Sequence, residues 1–185
     1  HGEDLDITVL FFQPLFSTMS KSVKVGLCGQ GADELHAGYP RYKNLSNHRL
    51  SIHSRLDACR HPFAQILREG EIVGNGWSGN HNPSAAFSSL NSTLDYEMNH
   101  GQLTNFQLRL VDRHSMAHGL EVRVPFLGQS HVGASSGLPF DWKLSPDVEK
   151  AALRAAADLT RLPKEIVNRP KLPAGRATSP TMIEN

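Results

Sequence analysis

Residues 23–27, Val23-Lys24-Val25-Gly26-Leu27, form the clearest strand pattern in the chain. Their near-continuous apolar character is what a central parallel strand, covered on both faces, requires. The turn Cys28-Gly29-Gln30-Gly31 follows, and helix formers begin at Ala32. Gly38 and Pro40 are expected to stop that helix early. Upstream, Ile7-Thr8-Val9-Leu10-Phe11-Phe12 is too short for periodicity to separate strand from buried helix. Residues 43–67 carry Leu45, Leu50, Ile52, Leu56, Phe63, Ile66 and Leu67 at spacings of amphipathic helices broken at Pro62. Residues 70–83, rich in Gly and Asn, are loop by composition. Residues 93–110 read as a helix interrupted near Gly101, 113–119 as helical and 122–125 as extended. The most regular helix is 147–159, in which Val148, Ala151, Ala152, Leu153, Ala155, Ala156 and Leu159 are mostly strong helix formers. Ser145 is its expected N-cap and Pro146 its first helical residue. Residues 163–167 begin another short helix. There is no internal repeat.

Totals narrow the class. At 185 residues the chain is long enough for one domain with a sizeable core. A formal net charge of +1 gives no basis for a nucleic-acid surface or a polybasic membrane contact. No apolar run approaches the roughly 20 residues of a membrane helix. His1-Gly2-Glu3-Asp4 is neither a signal peptide nor an initiator methionine, so the expectation is a cytoplasmic fragment of a longer chain. Cys28 and Cys59 stand in no metal or redox spacing, and reduced thiols are the default.

The strand-turn-helix junction suggests the first chemistry. Such a junction turns unpaired backbone N–H groups and the positive helix end toward whatever lies above the strand. Asp33 and Glu34, in the first helical turn, would repel a bare phosphate, so a nucleotide here calls for a divalent cation between them. The missing third glycine argues against a dinucleotide fingerprint. His114 and His118 are four apart, a spacing that lets two imidazoles share zinc on one helix face. No Glu follows His114, so the zinc-peptidase pattern fails and neither is assigned a metal.

Longer strings are more specific. Residues 28–42, CGQGADELHAGYPRY, resemble the SGEGADELFGGYPRY signature of the asparagine synthetases and their relatives, the N-type ATP pyrophosphatases. Residues 110–127, LVDRHSMAHGLEVRVPFL, resemble that family's VDRMSMAHSLEVRVPFLD, and Asn168-Arg169-Pro170-Lys171 resembles its late NRPK segment. The three blocks occur in the family's order. The resemblance implies an α/β fold of the adenine-nucleotide α-hydrolase type, present as a partial synthetase domain over 1–171. That part is mostly helical, with a short parallel-strand core and an irregular tail at 172–185.

The implied reaction is ATP-dependent amide-bond formation. A substrate carboxylate, with aspartate the first choice, attacks the α-phosphate of ATP, and ammonia then displaces AMP. The resemblance assigns Asp33 to Mg2+, Lys171 to the phosphates in the transition state, and Asp112 to the active-site face. Cys28, Gly29 and Gly31 would let the backbone approach the nucleotide, and Lys150 begins a K-x-x-L-R segment with Leu153 and Arg154. Arg113, Glu121 and Arg123 are expected to form a buried or half-buried charge network along the pocket wall.

Departures matter as much. Gln30 stands where asparagine synthetases carry a glutamate that handles a proton in amide formation, and a glutamine amide is not basic at neutral pH. Related β-lactam synthetases have tyrosine there. His36 and Ala37 replace Phe and Gly, and Gly128 replaces an aspartate. The family's SGG-x-DS pyrophosphate loop is absent from these residues, as is a catalytic N-terminal cysteine, so the ammonia would come from a separate glutaminase or a missing N-terminal half. Two other readings stand beside the ligase: a degenerate or partner-dependent nucleotide-binding domain, and a β-lactam-synthetase-like or peptide-maturing ligase.

Overall fold

Strand β1, Val25–Leu27, pairs in parallel with β2, Glu121–Arg123, matching Val25 with Glu121, Gly26 with Val122 and Leu27 with Arg123. The structure is a computed structural model and describes residues 9–58 and 89–171. Parallel pairing needs a long crossover, and the elements between the two strands supply it. The ladder is extended at both ends, where Glu121 N donates to Lys24 O at 3.0 Å and Cys28 N donates to Arg123 O at 2.9 Å.

Helix α1, Val9–Met19, decides the ambiguous apolar run in favour of helix and carries Pro14 within it. Phe12 and Phe16, one turn apart, stack with ring centroids 5.5 Å apart. Phe16 then meets Val111 of α5 (Leu108–Met116) and Leu120, with Met19, Cys28 and Val122 packed against them. Burying each large apolar side chain in such a cluster stabilises the fold by about 2 kcal/mol. Within β1 only Gly26 is buried, facing Met19. Val25 and Leu27 point to the other face, and Leu27 is 74% exposed. The expected strand buried on both sides is therefore an alternating one, because the described sheet has two strands and α1 packs on one face.

Helix α2 is short, Ala32–His36, and starts from Gly31 at φ 89°. Ala37 ends it by adopting the left-handed conformation at φ 55°, and Gly38 N donates back to Asp33 O at 2.8 Å. Gly38 has a different task from the helix stop expected of it. A Cβ there would lie 1.9 Å from Asp33 Oδ1, so only glycine lets the chain pass the carboxylate.

A 3-10 turn, Pro40–Lys43, leads to α3, Leu45–Ala58. Helix α4, Leu90–Asn99, is capped by Ser89 Oγ, which accepts from Ser92 N at 3.2 Å. The interruption expected near Gly101 is present, followed by a π-helical turn at Leu103–Gln107 that runs into α5. Ala37, Tyr42, Leu90, Leu94 and Leu144 form a second core under this half. Beyond β2 come a 3-10 turn at Pro125–Leu127 and four helices: α6 (Gln129–Ser136), α7 (Phe140–Lys143), α8 (Ala151–Asp158) and α9 (Lys164–Val167).

The helix expected over 147–159 begins four residues late. Ser145 does not cap it. Its hydroxyl accepts from Val148 N at 3.1 Å, closing a local turn beside an antiparallel bridge between Leu144 and Glu149. Such side-chain-to-backbone bonds compete with helix, and Lys150, at φ 56°, then turns the chain into α8. The helices expected over 43–67 are described only as far as Ala58. The loop at 70–83, Cys59 and the tail at 172–185 lie outside the described residues. Among the described residues no helix is long and apolar enough to cross a membrane.

Candidate functional site

Asp33 sits in the first turn of α2, and two lysines from distant parts of the chain converge on it. Lys171 Nζ donates to its Oδ2 at 2.7 Å. Lys150 Nζ lies 2.9 Å from Oδ1, an ion pair without the angle of a hydrogen bond. Burial pushes the Asp33 carboxyl up, but the two ammonium groups outweigh it and leave the pKa below the ordinary carboxylate value. All three side chains are largely buried, where such charge-assisted contacts are stronger than on the surface.

Each lysine is placed by its backbone. Lys150 owes its direction to a left-handed residue between turn and helix, a conformation that costs a non-glycine residue about 1 kcal/mol. Lys171 is set by Arg154 of α8. Its Nε donates to Glu149 O at 2.9 Å, one terminal nitrogen donates to Arg169 O at 2.8 Å, and the other donates to Val167 O. That guanidinium ties both lysine-bearing segments together.

Tyr39 forms the next wall. Lys171 Nζ lies 5.2 Å from its ring centroid and Arg41 Cζ 3.9 Å, both within cation–π range. Its hydroxyl donates to Glu34 Oε1 at 2.8 Å and accepts from Gln107 Nε2 at 3.0 Å. Glu34 is 1% exposed, and burial raises its pKa despite the tyrosine hydrogen bond. Lys150 and Lys171 also line a concavity of about 750 Å³ with Phe126, Leu153, Arg154 and Arg169.

The site thus joins Asp33, Lys150 and Lys171. Gln30 is half-buried and Gly29 exposed in the preceding turn, and Gly31 makes the bend into α2. The Cys28 side chain packs against the Phe16 cluster. Asp112 is exposed on α5 and makes none of these contacts. Of the buried or half-buried network expected of Arg113, Glu121 and Arg123, Arg113 is half-buried on α5, whereas Glu121 and Arg123 are exposed. Arg123 Nε and Glu121 Oε1 pair at 2.8 Å on exposed side chains, since i and i+2 share one open face of β2. His114 and His118 both contact the side-chain amide of Gln13.

Sequence reasoning missed Glu97. Buried on α4, it accepts from Arg41 at 2.9 Å and contacts His48 at 3.1 Å. Burial raises its pKa, but His48 and Arg41 bring it below the ordinary glutamate value. A second concavity, of about 880 Å³, opens over this group. A lone Glu in an amphipathic helix carries no signal of such a role.

Chemically, two ammonium groups on one carboxylate leave a net positive site suited to a phosphate-like anion. They suit a resident Mg2+ poorly. Both Asp33 oxygens already face ammonium groups, and Glu34, the adjacent carboxylate, is held by Tyr39. Among the described residues no three His, Cys, Asp or Glu side chains are placed to share a metal.

Comparison with known proteins agrees with the motif reading. The family model described as asparagine synthase matches residues 9–184. The chain is 27% identical over 193 aligned positions to asparagine synthetase [glutamine-hydrolyzing] 1 of Bacillus subtilis (strain 168), covering 82% of this chain and 30% of that protein. It is 42% identical over 72 positions to the asparagine synthetase [glutamine-hydrolyzing] of Rattus norvegicus, covering 38% of this chain and 13% of that protein, with the same figures for Mus musculus. The chain therefore spans less than a third of these relatives. No solved structure matches it.

Proposed function

The chain belongs to the asparagine synthase family, and from that premise we propose that it serves an ATP-dependent, synthetase-type ligase that forms an amide. In this reading a carboxylate oxygen of aspartate attacks the α-phosphorus of ATP while the bond to pyrophosphate breaks. Ammonia then attacks the acyl carbon, and AMP leaves with the electron pair of the broken C–O bond.

Lys171 and Lys150 hold the charge that accumulates on the phosphate oxygens, in a partly desolvated site where fixed cations act most strongly. Asp33 keeps the two lysines in place before substrate arrives, and Tyr39 and Arg154 fix their approach. Gln30 cannot accept the proton lost by ammonia, so that proton passes to another base or to water. The ammonia is proposed to come from a glutaminase segment or subunit, and the setting to be the cytoplasm.

The observation that carries the reading is the Lys171–Asp33 contact of 2.7 Å, which joins the first and third family blocks. The test uses the product of the full reading frame that encodes this chain, supplied with ATP, Mg2+, aspartate and ammonia. Pyrophosphate release that depends on aspartate, matched mole for mole by asparagine in the mass spectrum, is the expected result. A folded product that releases no aspartate-dependent pyrophosphate contradicts the reading. Release driven by a different carboxylate would keep the ligase and replace its substrate.

A further inference from the structure

We propose that Asp33 acts in this chain as a positioning residue, holding Lys150 and Lys171 as a two-ammonium clamp for a polyphosphate anion that needs no divalent cation. The inference rests on the ligase reading for the identity of the anion, and it departs from the magnesium role that the family resemblance gives Asp33.

Three observations carry it. First, both carboxylate oxygens are engaged, Oδ2 by Lys171 at 2.7 Å and Oδ1 by Lys150 at 2.9 Å. A metal ion on either oxygen would sit beside an ammonium group. Second, among the described residues no other carboxylate is placed to help hold a cation. Glu34 accepts from Tyr39 at 2.8 Å in a buried position, and Asp112 is exposed on α5 outside these contacts. Third, the concavity is lined by Lys150, Lys171 and Arg169, together with apolar side chains such as Phe126, Leu153 and Ile166, and by no carboxylate. Those cations suit an anion with several charged oxygens, such as inorganic pyrophosphate.

The clamp is built to be stiff. Lys150 leaves a left-handed backbone residue. Arg154 pins the carbonyls of Val167 and Arg169, just ahead of Lys171. Two ammonium groups without a shared carboxylate would repel each other and spread apart, so removing Asp33 loses preorganisation even as it makes the site more positive. That contrast gives a test a metal ligand would fail.

The experiment is calorimetric titration of the 185-residue chain with inorganic pyrophosphate, once in EDTA and once with Mg2+, together with Mn2+ titration followed by NMR. Binding in EDTA is expected, with affinity for free pyrophosphate changed less than about twofold by Mg2+. Asp33→Asn is expected to weaken the EDTA binding by about fivefold or more, and Lys150→Met by about tenfold. Mn2+ alone should leave the amide resonances of Gly38 and Tyr39 unbroadened. Binding that appears only with Mg2+, Asp33→Asn binding pyrophosphate in EDTA as well as or better than wild type, or Mn2+ broadening of those two amides would each overturn the proposal. The wild-type EDTA comparison stands even if a variant fails to fold. Failure of amide synthesis in the reading-frame assay, with EDTA binding intact, would count against the ligase and leave the clamp.

Discussion

Lys171 Nζ lies 2.7 Å from Asp33 Oδ2 although 138 positions separate them in the chain. Contacts of that kind cannot arise from local propensity. They require α2, β1 and the C-terminal segment to be held in fixed relation, here through Arg154 and the left-handed Lys150.

Stability should register this contact. Lys171→Met leaves a buried carboxylate with one ammonium partner, a change that costs about 1–2 kcal/mol. Urea denaturation of wild type and variant measures it. An unchanged midpoint would show that the pair contributes nothing to folding.

Gly38→Ala should disturb the site more sharply. The new Cβ would lie 1.9 Å from Asp33 Oδ1, so the carboxylate must move off Lys150. A loss of about 2 kcal/mol and weakened pyrophosphate binding are expected. Gly29→Ala is the control. Nothing lies within 4 Å of its added Cβ, and stability should stay within about 0.5 kcal/mol of wild type.

Acid should weaken the α2–α6 contact. His36 Nε2 and His131 Nε2 are 2.9 Å apart, and His36 is 3% exposed. Burial, then the nearby His131, Lys143 and Lys150, hold its pKa down at about 4 from an ordinary 6.5. Between those values the unfolded chain binds the extra proton and the folded chain does not. Stability from this group is therefore complete above pH 6.5 and lost as pH falls toward 4. The loss should be about 2 kcal/mol between about pH 7.5 and about pH 5. His36→Phe should flatten the profile in that window, and an unchanged slope would remove His36 as its source.

Glu97→Ala takes away the carboxylate shared by Arg41 and His48 under the second core. About 3 kcal/mol of destabilisation is expected, read from thermal melts, with Glu97→Gln intermediate. A loss below about 0.5 kcal/mol would mean that the group is replaceable by water.

Much of this was legible in the chain itself, for reasons that differ by residue. Asp33 and Lys171 stand in strings specific enough for the resemblance to give both a role at one nucleotide, though as a metal ligand and a phosphate contact and not as a direct pair. The short α2 and the break near Gly101 followed from glycine placement, and the strand at β1 from an apolar run, but residues 122–125 read only as extended, and their pairing with β1 came from the structure. Lys150 pointed to the right neighbourhood through the wrong local structure, because Ser145 closes a turn on Val148 instead of capping a helix. Glu121 and Arg123 looked like an internal network, but whether a two-residue spacing faces core or solvent depends on what packs against the strand. Glu97 gave no sign, since its partners come from α3 and the turn before it.

The most direct test is the rate of aspartate-dependent pyrophosphate release by the full reading-frame product, wild type against Lys171→Met, with circular dichroism as the folding check. A fall of at least about 100-fold in kcat with the fold intact is predicted, as for loss of a preorganised cation at a phosphate. A folded Lys171→Met variant that releases pyrophosphate at the wild-type rate would contradict the account.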